Sequence, residues 1–102
     1  MSELTMERIK VSEGVKFKLI GRITTGNEVY FEEMLTHELE EGFYRIVLNM
    51  QDVTLITSIG IRIILKIYKS CTEAGGKFLI EDPSEVVKNV MGLSALQQMM
   101  VD

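Results

Sequence analysis

The stretch from Arg45 to Lys77 most limits what this chain can become. Tyr44 to Met50, with Ile46-Val47-Leu48 inside it, is the nearly continuous apolar run expected of a strand covered on both faces and near a sheet centre. A short polar stretch leads to Leu55-Ile56-Thr57-Ser58-Ile59-Gly60, and a helical segment then runs to a stop at Gly75-Gly76. Two small hydroxyl residues, Thr57 and Ser58, therefore stand at the mouth of a helix, where either can cap it. The first four backbone N–H groups of a helix have no internal partners and together carry roughly half a positive charge, so an anion is stabilised there.

Around that unit the chain reads as β-β-α-β-α-β-α. Val15, Phe17 and Leu19 alternate with Lys16 and Lys18, the period of a half-buried strand, and Glu13-Gly14 turns into it from an earlier strand near Glu7 to Val11. Asn27 is placed as the cap of a first helix whose apolar stripe is Phe31, Met34, Leu35 and Leu39 and which ends at Gly42. Its remaining Glu28, Glu32, Glu33, Glu38, Glu40 and Glu41 read as a solvated acidic face. In the second helix Ile61, Ile64, Leu65, Tyr68 and Cys71 or Thr72 are expected to be buried, with Ser58, Arg62, Lys66 and Lys69 on another stripe. Lys77 to Glu81 is a further strand, and Asp82-Pro83-Ser84-Glu85, with Asp82 as the cap, a proline at the first turn and a carboxylate at the third position, starts a third helix that buries Val86, Val87, Val90 and Met91 and ends at Gly92. Met99-Met100-Val101 fits an edge strand or a helix end. The expected fold is α/β: one domain over residues 1–102, with a mixed four- to five-stranded sheet and helices packed against it.

A chain of 102 residues with 46% apolar content suffices for one hydrophobic core. Its formal charge of −4 and pI near 5.0 oppose a role in neutralising nucleic acid or anionic lipid, so neither partner is expected. The N-terminus lacks a signal-peptide pattern, and the most apolar window, Leu55 to Tyr68, is interrupted by polar residues and too short to span a bilayer. A cytoplasmic location is expected. Cys71 has no partner for an internal disulfide and falls on an apolar helical position, as a structural thiol does.

Catalytic chemistry finds little support. Ser58 has Ile56 and Gly60 two residues to either side, not the paired glycines of a nucleophile elbow, and His37, the only histidine, lies among acidic positions of the first helix. Gly75-Gly76-Lys77 lacks the remaining glycine and the hydroxyl residue of a phosphate-binding loop, and one cysteine with one histidine gives no metal-ligand spacing. No catalytic residue, cofactor or metal is assigned. What remains is a surface in which Ile59 and Ile63 sit among Arg62 and Lys66 beside Ser58, which suits a partner with an acidic rim.

These segments together resemble the STAS domain of bacterial anti-sigma-factor antagonists. The likeness runs through Gly21-Arg22-Ile23, Ile46-Val47-Leu48-Asn49-Met50, Val53-Thr54-Leu55-Ile56-Thr57-Ser58-Ile59-Gly60-Ile61-Arg62, Gly75-Gly76-Lys77 and Asp82-Pro83-Ser84. It implies a non-enzymatic partner-switching regulator that binds an anti-sigma factor with serine kinase activity until Ser58 is phosphorylated; nothing in the sequence demands more than a monomer. A serine phosphatase is implied as a further partner. The partner-binding set is then Thr24, Thr25, Thr57, Ser58, Ile59, Arg62, Ile63 and Lys66. Thr57 and Thr24 replace two aspartates found in many members, and Ile59 replaces a small or hydroxyl residue. Two other functions stay open: an adaptor that uses the same surface without phosphorylation, and a domain that holds a nucleotide or lipid near Thr24 and Thr57.

Overall fold

The computed structural model describes residues 3–91 and 100–101. Strands β1 (Leu4–Val11), β2 (Gly14–Ile23), β3 (Arg45–Ile56), β4 (Lys77–Glu81) and β5 (Met100–Val101) form one sheet in the order β1-β2-β3-β4-β5. The opening pair is an antiparallel hairpin, and every later neighbour is parallel. Helices α1 (Glu28–Glu40), α2 (Ser58–Glu73) and α3 (Glu85–Met91) provide the connections. The expected mixed α/β sheet is thus present, with β3 at its centre and Met100–Val101 as an edge strand. Residues 92–99, including the expected stop at Gly92, lie outside the described residues.

Three strands are longer than their sequence patterns. β1 begins at Leu4, β2 continues through Gly21 to Ile23, and β3 runs on to Ile56 through the polar Gln51 and Asp52. The extension of β3 matters most, because it carries the chain to within one residue of Ser58. Register shifts between β2 and β3, near Lys18/Ile20 and Gly21/Arg22, let the last paired residues be Ile23 and Ile56. The two strands therefore end side by side, and the segments that follow them, Thr24 onward and Thr57 onward, emerge together.

The core is aliphatic and aromatic. Phe17, Leu19, Leu48, Met50 and Ile80 from the sheet meet Phe31 and Leu35 of α1, Ile64 and Ile67 of α2, and Val87 and Met91 of α3, all buried. Burial of such apolar side chains is the main favourable term for a domain of this size, worth about 1.5–3 kcal/mol each. Both long helices stop by the same device. Gly42 and Gly75 adopt φ of 88° and 79°, the left-handed region where a Cβ is disfavoured. After α2, Gly76 N–H donates to the Cys71 carbonyl at 2.8 Å and Gly75 N–H to that of Thr72 at 3.0 Å.

Two boundaries differ from the sequence reading. Asn27 precedes α1, but its side chain makes no capping hydrogen bond to the helix. It accepts instead from the Thr24 N–H at 2.9 Å and donates to the Arg22 carbonyl at 2.8 Å, tying the β2–α1 loop to itself. The cap of α3 is Ser84, not Asp82: Ser84 Oγ accepts from Val87 N–H at 3.3 Å and donates to the Val53 carbonyl at 2.6 Å. Asp82 takes the left-handed backbone at φ 48°, which short polar side chains tolerate, and Pro83 is buried ahead of the helix. Val90, expected to be buried, is exposed.

Candidate functional site

Thr57 ends the extended backbone with φ −82° and ψ 167°, and Ser58 is the first residue of α2. Thr57 Oγ1 accepts the Gly60 N–H at 3.1 Å, so Thr57 is the cap and one orphan donor of the helix is satisfied. Because the cap falls on Thr57, the Ser58 side chain has no capping duty. It is exposed and makes no hydrogen bond among the described residues. The first turn of α2 holds no acidic residue.

Thr57 is fixed on its other sides as well. Its N–H donates to the Ile23 carbonyl at 3.2 Å, and its hydroxyl donates to Glu28 Oε2 at the start of α1. Glu28 is only 7% exposed. Sequence reasoning placed it on a solvated acidic face, and so missed it; Glu38, at 2% exposure, was missed in the same way. Arg8 of β1 holds Glu38 with two hydrogen bonds, at 2.7 and 2.9 Å, and this hydrogen bonding, with a smaller contribution from the charge of Glu38, raises the guanidinium pKa. A signal for both glutamates did exist. Glu28, Phe31, Leu35 and Glu38 recur at helical spacing, so the glutamates share the buried stripe of Phe31 and Leu35.

The face of α2 turns slightly from the expected setting. Gly60, Ile63, Ile64, Ile67 and Cys71 are buried, whereas Leu65 is 39% exposed. The cause is Gly60. A Cβ there would lie 2.9 Å from Ile23 Cγ2 and 2.9 Å from Ile56 Cγ1, so the helix start lies against the ends of β2 and β3. With Gly60 innermost, Ile63 three residues later must also face inward, at 5% exposure. Ile63 is therefore corrected from a partner-binding candidate to a core residue.

The other candidates stay accessible. Ser58, Ile59, Arg62 and Lys66 are exposed on α2, and Leu65 of the same helix is a further exposed apolar residue. Arg62 has no ion-pair partner among the described residues, and Lys66 Nζ lies 2.7 Å from Glu32 Oε2 across the α1–α2 seam. Thr25 is exposed and Thr24 half-buried in the loop held by Asn27, and the Thr57–Ile23 hydrogen bond keeps that loop beside the helix mouth. His37 is exposed on α1, in a groove of about 510 Å³ with Glu32, Glu33, Thr36, Glu40 and Lys66. No group of three or more His, Cys, Asp or Glu among the described residues is arranged to hold a metal ion. No helix among them is long and apolar enough to cross a membrane.

The STAS domain family model matches residues 7–101. The chain belongs to the STAS domain family. Among curated proteins it is similar to one from Thermotoga maritima, provisionally named an anti-sigma factor antagonist, with 35% identity over 60 residues. That match covers 59% of this chain and 53% of the relative, so the chain spans about half the length of the curated relatives it matches. Among solved structures it is similar to the anti-sigma factor antagonist SpoIIAA in its unphosphorylated form, with a TM-score of 0.85 and 18% identity over 96% of this chain and 87% of that one. The phosphorylated form of SpoIIAA, described as a Bacillus cell fate determinant, gives 0.81 and 19% over 96% and 90%. At such identities the structural likeness establishes the fold of this STAS domain.

Proposed function

We propose that this STAS domain is an anti-sigma-factor antagonist that works by partner switching in the cytoplasm. Unmodified, it binds an anti-sigma factor that is also a serine kinase; phosphorylation of Ser58 ends that binding, and a serine phosphatase restores it. The observation that carries this reading is the exposed, uncommitted hydroxyl of Ser58 at the first residue of α2, beside a surface of Ile59, Arg62 and Lys66 with Thr24, Thr25 and Thr57 at its edge.

The physics of the switch follows from position. A phosphate adds about −1.5 to −2 charges at neutral pH, and at a helix N-terminus such charge is favoured by about 0.3–1 kcal/mol, so the fold survives modification. Arg62, one turn on, is placed to pair with it and is then withdrawn from a partner. On the partner's side the cost is large. A carboxylate about 4 Å from each added charge loses about 1 kcal/mol in a water-like setting and about 4 kcal/mol in one typical of protein surfaces. The likeness to anti-sigma factor antagonists supports the same reading.

Incubation with ATP and the candidate kinase, followed by mass spectrometry, tests it. One phosphate on Ser58 is expected. Stable binding without any transfer to Ser58 would favour the adaptor role over the switch.

A further inference from the structure

We infer that Glu28 is a positioning residue for Ser58, holding the helix mouth in the setting that keeps the serine exposed; this rests on the reading of Ser58 as the modified residue. A threonine hydroxyl has one proton and two lone pairs and rotates to suit its neighbours. Here the proton is committed to Glu28 Oε2, which leaves a lone pair turned to the Gly60 N–H at 3.1 Å. Without an acceptor beneath it, the same hydroxyl is free to turn toward other carbonyls at the helix start and abandon the cap. Capping would then pass to Ser58, the next hydroxyl in the chain, and withdraw it from the surface.

Three further observations point the same way. Glu28 is 7% exposed, so its carboxylate is committed within the fold and its loss cannot be replaced freely by water. It is the first residue of α1 and accepts from the cap residue of α2, Thr57, so one carboxylate lies at the positive ends of two helices, where negative charge is favoured. Asn27 beside it fastens the Thr24 N–H and the Arg22 carbonyl, so Glu28 joins the loop carrying Thr24 and Thr25 to the helix carrying Ser58. This chain has threonine at 57, and Glu28 supplies through it a carboxylate that the first turn of α2 otherwise lacks.

The test is amide hydrogen exchange by NMR on the full chain. Glu28→Ala should lower protection at Gly60 about fivefold, the amount expected for loss of one cap, while core amides of β3 change far less. Glu28→Gln, which keeps an acceptor of the same shape, should restore Gly60 protection to near the parent value. Glu28→Met keeps the volume without the acceptor, and should reproduce the Gly60 loss should the alanine variant fold poorly. In a Thr57→Ala background, Glu28→Ala should change Gly60 no further. Equal protection at Gly60 in the parent and in Glu28→Met, or an equal loss at every core amide, overturns the positioning role. Absence of phosphate transfer to Ser58 in the parent counts against the proposed function alone, since the exchange result is read without any kinase.

Discussion

Substituting Gly60 with alanine tests whether close approach at this one position sets the orientation of α2. The new Cβ would lie 2.9 Å from both Ile23 Cγ2 and Ile56 Cγ1, about half an ångström inside ordinary contact. Ile23 and Ile56 end the two central parallel strands, and their branched side chains are held in the core at 0% and 6% exposure, so neither gives way freely. Overpacking of this kind costs about 1–3 kcal/mol, and exchanging glycine for alanine in a helix returns about 0.5–1 kcal/mol. The net expectation is a destabilisation of about 0–2.5 kcal/mol. Gly26 is the internal control: a Cβ there meets only Thr24 Oγ1 at 4.0 Å, and its φ lies outside the left-handed region. Gly26→Ala should be stabilising by about 0.4–1 kcal/mol through the unfolded chain alone. In thermal unfolding, where about 1 kcal/mol moves Tm by 4–8 °C in a domain of this size, Gly60→Ala should melt below Gly26→Ala by several degrees. Should Gly60→Ala melt at or above Gly26→Ala, close packing at Gly60 does not set the helix, and the inward turn of Ile63 needs another cause.

Other expectations concern single groups. Burial raises the Cys71 thiol pKa to about 11, so native protein at pH 8 should resist a thiol-specific reagent that labels the unfolded chain stoichiometrically; rapid native labelling would contradict the burial. The Lys16 ammonium, then the Asn49 amide, hold the Glu81 carboxyl below its ordinary value of 4.5. A lowered folded pKa means that this stabilisation is present above 4.5 and is lost as pH falls through the folded value. Lys16→Ala should therefore melt below the parent at pH 6 and converge with it in acid, whereas a gap that widens on acidification would refute the sign. Arg62→Ala removes an exposed cation with no ion-pair partner among the described residues, so its stability should stay within about 0.5 kcal/mol of the parent while calorimetry shows weaker partner binding.

Much of this architecture can be read from the residues because local and global signals agree. The apolar run in β3 marks the sheet centre, and Gly42 and Gly75 mark helix stops because both occupy backbone that other residues resist. The rotation of α2 was harder to read. Isoleucines at 59, 61, 63, 64 and 67 surround the helix, so apolarity alone does not single out a face, and the position that decides it is a glycine without a side chain. The strand lengths were hidden for a related reason: β3 continues through Gln51 and Asp52 because pairing with β2 needs backbone groups, not apolar side chains. At the candidate site, Ser58 and Thr57 were visible from their place before a helix. Glu28 was not, since a glutamate in the first turn of a helix is ordinary and its contact with Thr57 is made between residues 29 positions apart.

Titrating the anti-sigma partner by calorimetry into unmodified protein and into protein carrying a single phosphate on Ser58 is the most direct test of the switch. Tight binding of the first and a loss of at least about tenfold for the second, with both forms equally folded by circular dichroism, is the expected result. Equal affinity for the two forms would contradict the switch, whatever else the surface around α2 binds.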